Sequence, residues 1–175
     1  MSAPDGLARL EALEAIRTLP LRYSVAIEQR DVDGMARLFS PNARFGRWGE
    51  GADGLRVLMG ETMGSSILAV VLVANHLIEL DDAERAHGEV WARCYAQDDG
   101  GDFVEQVIKY EDTYERVDGL WLFLHRRHRL WFGVVAPSPL EQPPANWPEH
   151  QVGVGDLPLA DPVFAAWYER DHREG

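Results

Sequence analysis

The chain has 175 residues, 46% of them apolar and 26% charged, and this length predicts one compact domain whose core needs no disulfide or metal for stability. The 29 acidic and 17 basic residues give a formal net charge of −12, which disfavours nucleic acid or an anionic membrane as a partner. With one cysteine, no signal-peptide pattern and no apolar run of about 20 residues, we expect a cytoplasmic protein without a membrane span.

The first part of the chain carries a helical pattern. Leucine and isoleucine recur every third residue between positions 7 and 19, and Tyr23, Ala26 and Ile27 extend this stripe. The spacing predicts an amphipathic helix on an apolar surface. Because Pro20 removes a backbone donor, we expect it to kink the helix or split it near Thr18.

Shorter elements follow this helix. Asp31 is typical of the N-cap of a second helix that buries Met35 and Phe39. The next residues predict a short strand at 43–49, and the apolar spacing after it predicts a third helix at 53–63.

The second part of the chain has the pattern of strands. Extended segments are predicted at 75–81, 85–98, 102–117 and 120–133. The turns between them are short, so consecutive strands pair antiparallel. We therefore expect an α+β domain over residues 1–136, in which a curved antiparallel sheet wraps around the N-terminal helices to form a cone with an internal pocket. Residues 137–175 are a proline-rich extension that packs on this domain or on a neighbouring subunit.

Motifs for cofactors and metals are missing from the sequence. It contains no phosphate-binding loop, no dinucleotide fingerprint, and no zinc-protease or serine-hydrolase motif. His125 and His128 lie three residues apart in a predicted strand and therefore point to opposite faces. No group of histidine, cysteine and carboxylate residues has the spacing of metal ligands. We expect neither a cofactor nor a metal.

Two polar residues stand where an apolar side chain is expected. His76 lies in an otherwise apolar strand start, and Glu28 lies at the end of the first helix, where the apolar stripe still faces inward. Each has a structural alternative: a hydrogen-bonded core histidine and a solvated helix end. Together they suggest a carboxylate–imidazole dyad, in which the carboxylate orients the ring and raises its pKa. Such a histidine can take a proton from a substrate and return it.

Arg126 is a third candidate for a site residue. By strict alternation it shares a strand face with Leu122 and Leu124, and burying an arginine is costly unless it meets an anionic group. The surrounding run of histidine and arginine, residues 125–129, is also typical of a solvated strand end.

Several aromatic residues fit either the core or a pocket wall. They are Phe45, Trp48, Trp91, Tyr95, Tyr110 and Tyr114. Trp91 and Tyr95 share one strand face with Arg93, and this mixed polarity suits a pocket or a subunit interface.

Four motifs carry a family resemblance. They are Tyr23-x4-Glu28-x2-Asp31, Leu38-Phe39-Ser40-Pro41-Asn42-Ala43, Asn75-His76 and Tyr114-Glu115-Arg116-x-Asp118-Gly119-x-Trp121-x4-Arg126. Their order and spacing resemble the SnoaL-like group of the cystatin-like cone fold, also called the nuclear-transport-factor-2-like superfamily. The similarity extends over residues 8–133 and is greatest to the branch of scytalone dehydratase, bile-acid dehydratase and hexachlorocyclohexane dehydrochlorinase.

The resemblance implies a cofactor-independent lyase of the dehydratase type, or an isomerase, that takes a proton from a small apolar polyketide-, steroid- or ring-like substrate. It implies His76 as the general base and Glu28 as the residue that orients it, at a position where the family has aspartate. Arg126 would stabilise negative charge or the leaving group. The residues expected to shape the pocket are Tyr23, Phe45, Trp48, Trp91 and Tyr95. Segment 43–49 holds no carboxylate, which disfavours the mechanism of ketosteroid isomerases.

Two other functions remain open at this point. One is a non-catalytic subunit similar to the beta subunit of aromatic-ring dioxygenases, and the other is a small-molecule binding module. The resemblance also implies a homo-oligomer, either a trimer or a dimer, that associates through the sheet.

Overall fold

Three helices precede the sheet, in the order that the sequence predicts. The structure, a computed structural model, describes residues 6–146, 148–157 and 160–172. Helix α1 covers Gly6–Glu28, α2 covers Val32–Ala36 and α3 covers Gly51–Gly64. No helix in these described ranges is both long enough and apolar enough to cross a membrane.

Helix α1 runs through Pro20 without a break, so the split expected near Thr18 is not formed. A proline inside a helix costs about 3 kcal/mol through its missing hydrogen bond and its ring. Pro20 is itself buried, as are Ile16 and Leu19 on the same stripe. Burial of this apolar stripe outweighs the missing hydrogen bond, because tertiary packing supplies most of the stability of a helix.

The cap of α2 is confirmed, whereas the strand predicted at 43–49 is wrong. Asp31 accepts a hydrogen bond from the backbone N–H of Gly34 at 2.7 Å. The later segment forms a 3₁₀ turn at Gly46–Trp48. Gly46 has a φ of 60°, a left-handed conformation that glycine adopts without steric cost, and this bends the chain out of an extended path.

Four strands form one antiparallel sheet in the order β1-β2-β3-β4, which confirms the predicted α+β meander. They are β1 Ser66–Leu80, β2 Arg85–Asp98, β3 Phe103–Val117 and β4 Leu120–Ala136. Strand β1 begins nine residues earlier than predicted, because the apolar run at 67–74 is part of it. The sheet curves around α1, and the core lies between its concave face and the helices.

Two of the register shifts between neighbouring strands decide which side chains of β1 and β4 reach the concave face near Arg126 and His76. In β1 the register shifts between Val73 and His76, so the inward positions change there from odd to even residue numbers. In β4 the extra residue Leu124 interrupts the pairing with β3, so Arg126 faces the same side as Phe123. The predicted alternation placed Arg126 on the opposite face and is wrong, because a bulge reverses the period of two.

The C-terminal segment returns to the end of α1. After a 3₁₀ turn at Pro139–Glu141, helix α4 covers Pro162–His172. The Phe164 side chain of α4 is buried, and Gln29 donates a hydrogen bond to Asp161 at 2.9 Å. These contacts place α4 beside the open end of the cone.

Candidate active site

An apolar cavity of about 430 Å³ opens between α1, α3 and the concave face of the sheet. This volume is within the range of small-molecule sites. Several polar side chains line the cavity: Tyr23 of α1, Arg30 just beyond the end of that helix, Tyr110 of β3, and Arg126 and His128 of β4. A small apolar molecule with a few polar groups fits such an arrangement.

Arg126 is held in the cavity wall by a buried ion pair. Its Nε and Nη2 donate to the two carboxylate oxygens of Asp112 at 2.9 and 2.7 Å, and both side chains are almost fully enclosed. Burial lowers the pKa of Arg126, but the charge and hydrogen bonds of Asp112 outweigh this and raise it overall. The guanidinium also contacts the faces of Tyr23 and Tyr110. Its Nη1 is buried and makes no hydrogen bond within the described residues, so the N–H groups of this nitrogen are left for a ligand.

His76 does not line the cavity but is linked to this ion pair by hydrogen bonds through Tyr114. The Tyr114 hydroxyl donates to Asp112 at 3.0 Å, and its oxygen therefore accepts from Nε2–H of His76, also at 3.0 Å. The other ring nitrogen, Nδ1, is buried and has no hydrogen-bond partner in the part of the chain that the structure describes. Burial, together with the charges of Arg126 and Arg17, lowers the pKa of His76 to about 4, against the opposing effect of Asp112. His76 is therefore neutral in the folded protein.

The predicted dyad of Glu28 and His76 is not formed. No hydrogen bond or ion pair joins them in the described part of the chain, and neither residue lines the cavity. The reason is that the end of α1 lies beside the start of β1, where Arg30, two residues after Glu28, donates a hydrogen bond to Ser66. His76 lies ten residues farther along the strand. At about 3.3 Å per residue this is roughly 30 Å of strand, far beyond the reach of a glutamate.

The low pKa of His76 has a consequence for stability. The unfolded chain binds a proton here near pH 6.5, whereas the folded chain does so only near pH 4. The free energy of unfolding is therefore expected to fall as the pH is lowered between these values. His76→Gln should reduce this fall, measured by urea unfolding at about pH 7.5 and about pH 5. The pKa of His128 is also lowered, so the free energy of unfolding of the variant still falls somewhat with acid. An equal fall in the free energy of unfolding of wild type and variant would contradict a neutral His76.

His128 faces the cavity that His76 does not reach. It follows Arg126 by two residues on β4, and its ring lies 5.6 Å from that of Tyr110, centroid to centroid. Desolvation of the ring lowers the pKa of His128, and the charge of Arg126 adds to this effect. A neutral imidazole with solvent access at the cavity can act as a proton acceptor.

Arg30 is the second arginine of the cavity. It lies two residues beyond α1 with a φ of 60°, and it is only 5% exposed. Its Nη2 donates to the backbone carbonyl of Ser66 at 2.9 Å and to the Ser66 hydroxyl at 3.1 Å. Trp167 of α4 covers the guanidinium, 4.8 Å from its ring centroid. Burial lowers the pKa of Arg30 to about 10, so it remains charged at neutral pH.

The aromatic residues predicted to shape the pocket divide into two groups. Tyr23 and Phe45 line the cavity. Trp91 and Tyr95 do not, because the even-numbered residues of β2 face inward and these odd-numbered ones face outward, where they contact Trp131 and Phe103. Trp48 lies on the 3₁₀ turn outside the cavity and donates to Glu61 at 2.7 Å.

Two residues of the cavity, Arg30 and His128, are not among the site residues that the sequence predicts. Tyr23, Ile27 and Arg30 have the spacing i, i+4, i+7 of one helix face, a signal that was available. His128 alternates with Arg126 along β4, but the basic run around it is equally typical of a solvated strand. In the ranges that the structure describes, no three histidine, cysteine, aspartate or glutamate side chains are grouped as metal ligands.

Comparison with known proteins identifies a family and several solved structures with a similar fold. The SnoaL-like domain profile matches residues 8–127. No curated protein matches the sequence. Hexachlorocyclohexane dehydrochlorinase LinA-type3 from Novosphingobium barchaimii LL02 is 20% identical with a TM-score of 0.66, and the match covers 74% of this chain and 93% of that one.

Two further solved structures share the architecture. A proposed scytalone dehydratase from Novosphingobium aromaticivorans DSM 12444 is 18% identical with a TM-score of 0.65, covering 75% of this chain and 91% of that one. A variant of Rv3472, a protein of unknown function from Mycobacterium tuberculosis, is 20% identical with a TM-score of 0.62, covering 98% of this chain and 94% of that one. At these identities the likeness establishes the cone fold.

Proposed function

Since the chain belongs to the SnoaL-like domain family, we propose that it is a lyase or isomerase that takes a proton from carbon in a small apolar substrate without a cofactor. The observation that supports this best is the pairing of two groups on one cavity wall. Arg126 offers an unused donor, Nη1, and His128 offers a neutral imidazole two residues away on the same face of β4.

The reaction follows from the charges of these two groups. A carbonyl oxygen of the substrate accepts a hydrogen bond from Nη1 of Arg126, and His128 takes the proton from the adjacent carbon. The electron pair of the broken C–H bond forms an enolate, whose negative charge the guanidinium stabilises. Collapse of the enolate forms a C=C bond and expels a hydroxyl group, which leaves as water with the proton of His128. Return of that proton to a different carbon gives isomerisation instead.

His128 is preferred to His76 as the base because of their surroundings. The Nε2 of His76 is bonded to Tyr114, and the ring does not line the cavity. In this proposal His76, Tyr114 and Asp112 are positioning residues that hold Arg126 in place. Glu28 has no part in the proton transfer.

The experiment offers the protein a panel of small ring compounds that carry a carbonyl with a hydroxyl or chloride two carbons away. In D2O, wild type is expected to release the leaving group or to introduce deuterium next to the carbonyl, detected by mass spectrometry. Binding of panel members without exchange or elimination would favour a small-molecule binding module over an enzyme.

Blocking the cavity should abolish this turnover. Ala69 lines the cavity on β1, so Ala69→Trp is expected to fill it and to reduce turnover at least tenfold, because the substrate no longer fits. Val70→Trp is the matched control, since it places the same side chain on the opposite face of the same strand. Retained turnover in Ala69→Trp would place the reaction outside the cavity. Thermal melts establish that both variants are folded.

We also propose that the chain forms a homo-oligomer, a trimer or a dimer, through the sheet. Strand β4 is an edge of the sheet, and its second half exposes large apolar side chains. They are Leu130, Trp131, Phe132, Val134 and Val135, each at least half exposed. Contiguous apolar surface of this kind favours association.

A further inference from the structure

The two arginines of the cavity differ in how their charge is balanced. Arg126 is paired with Asp112 through two hydrogen bonds. Arg30 has no carboxylate partner in the described residues, and its Nε and Nη1 are buried without any hydrogen bond. Of its five N–H donors, only those on Nη2 are used, and their acceptors are neutral groups of Ser66.

A buried, uncompensated charge is costly, and proteins that retain one usually bring an opposite charge to it. Ser66 and the Trp167 ring satisfy part of the hydration that Arg30 loses, but neither carries a charge. The planar fork of a guanidinium suits a carboxylate, which can accept two parallel hydrogen bonds from it. The two unused nitrogens, Nε and Nη1, can therefore donate hydrogen bonds to an anionic group of a ligand.

The position of Arg30 indicates where such an anion would bind. Arg30 lines the apolar cavity, and it also lines an outer cleft between α3 and α4. It thus forms the partition between the two spaces. Tyr23, which contacts Arg126, lies seven residues earlier in the chain, on α1, so the two arginines line different parts of the cavity. A molecule in the cavity can therefore reach Arg126 with one end and Arg30 with the other.

We propose that Arg30 binds the carboxylate of a ligand whose apolar part occupies the cavity. The inference rests on the proposed function and deepens it, because it makes the substrate an apolar molecule with a carboxylate at the end opposite the carbon that loses its proton. Arg30 is then a specificity-determining residue that touches the substrate at a distance from the reacting atoms.

The experiment compares decanoate with decanol, which share the same alkyl chain and differ in charge. Their binding to the whole chain is measured by isothermal titration calorimetry, which requires no turnover. Decanoate is expected to bind about tenfold to a hundredfold more tightly than decanol, as charge-assisted hydrogen bonds predict. Arg30→Met should remove this preference, whereas Arg30→Lys should retain part of it, because the charge remains and the fork is lost.

Three results would overturn the proposal. The first is equal binding of decanoate and decanol to wild type, which needs no variant to be folded. The second is an unchanged preference in Arg30→Met. The third is an unchanged affinity for decanoate in Ala69→Trp, which would place the anion in the outer cleft. None of these results depends on catalysis, so the proton transfer by His128 stands or fails separately in the exchange assay.

Discussion

Replacing His128 by glutamine is expected to lower kcat/KM about 10²- to 10⁴-fold on any substrate that the exchange panel identifies, which is the usual contribution of a positioned base. Glutamine keeps a polar side chain of similar length but cannot accept a proton at neutral pH. Because the pKa of His128 is lowered, the wild-type rate should be constant above about pH 6.5 and should fall as acid protonates the ring. The measurement is a steady-state rate against pH for both proteins.

Two other histidines serve as controls for this result. His125 is exposed on the opposite face of the same strand, so His125→Gln should leave kcat/KM within about twofold of wild type. His76→Gln tests the alternative from the sequence, since a catalytic His76 would make this variant the slowest of the three. A near-wild-type rate in His128→Gln would exclude His128 as the base.

Removing the carboxylate of Asp112 is expected to have the largest effect on stability. Asp112→Leu leaves Arg126 as a buried charge without its partner and takes away the acceptor of the Tyr114 hydroxyl. Breaking a buried ion pair by removing one partner costs about 3–5 kcal/mol in the free energy of unfolding. Urea unfolding at neutral pH measures this loss.

Two control variants test whether the unpaired charge of Arg126 causes this loss of stability. Asp112→Leu combined with Arg126→Met removes both charges, so it should be more stable than Asp112→Leu alone. Glu105→Leu breaks the ion pair with Arg93, which is 2.6 Å long and lies on the surface, and should cost less than about 1 kcal/mol. A double variant no more stable than the single one would attribute the loss to packing and not to the unpaired arginine.

The architecture could be predicted from the sequence because local signals agree with one another. The stripe on α1, the Asp31 cap and the three short turns of the meander each have a direct physical cause, and all are found in the structure. The strand at 43–49 was wrong because glycines with positive φ turn the chain there.

The candidate site could be predicted only in part. Tyr23, Phe45 and Arg126 line the cavity, and their roles there stay predictions. Whether Glu28 can reach His76 depends on how far His76 lies along β1 from the end of α1. That distance follows from how the helix packs on the strand in three dimensions and cannot be obtained from the sequence spacing. Bulges add to the difficulty, since nothing in the sequence marks the extra residue at Leu124.

The extra residue in β4 also matters for redesign. Deleting Leu124 would leave one residue of β4 opposite each residue of β3 at this point, so Arg126 and His128 would keep their partners Asp112 and Tyr110 and their face. A deletion in a regularly paired part of the strand would instead carry the side chains beyond it from one face to the other. The bulge is therefore a place where β4 can be shortened by one residue without rearranging the cavity wall.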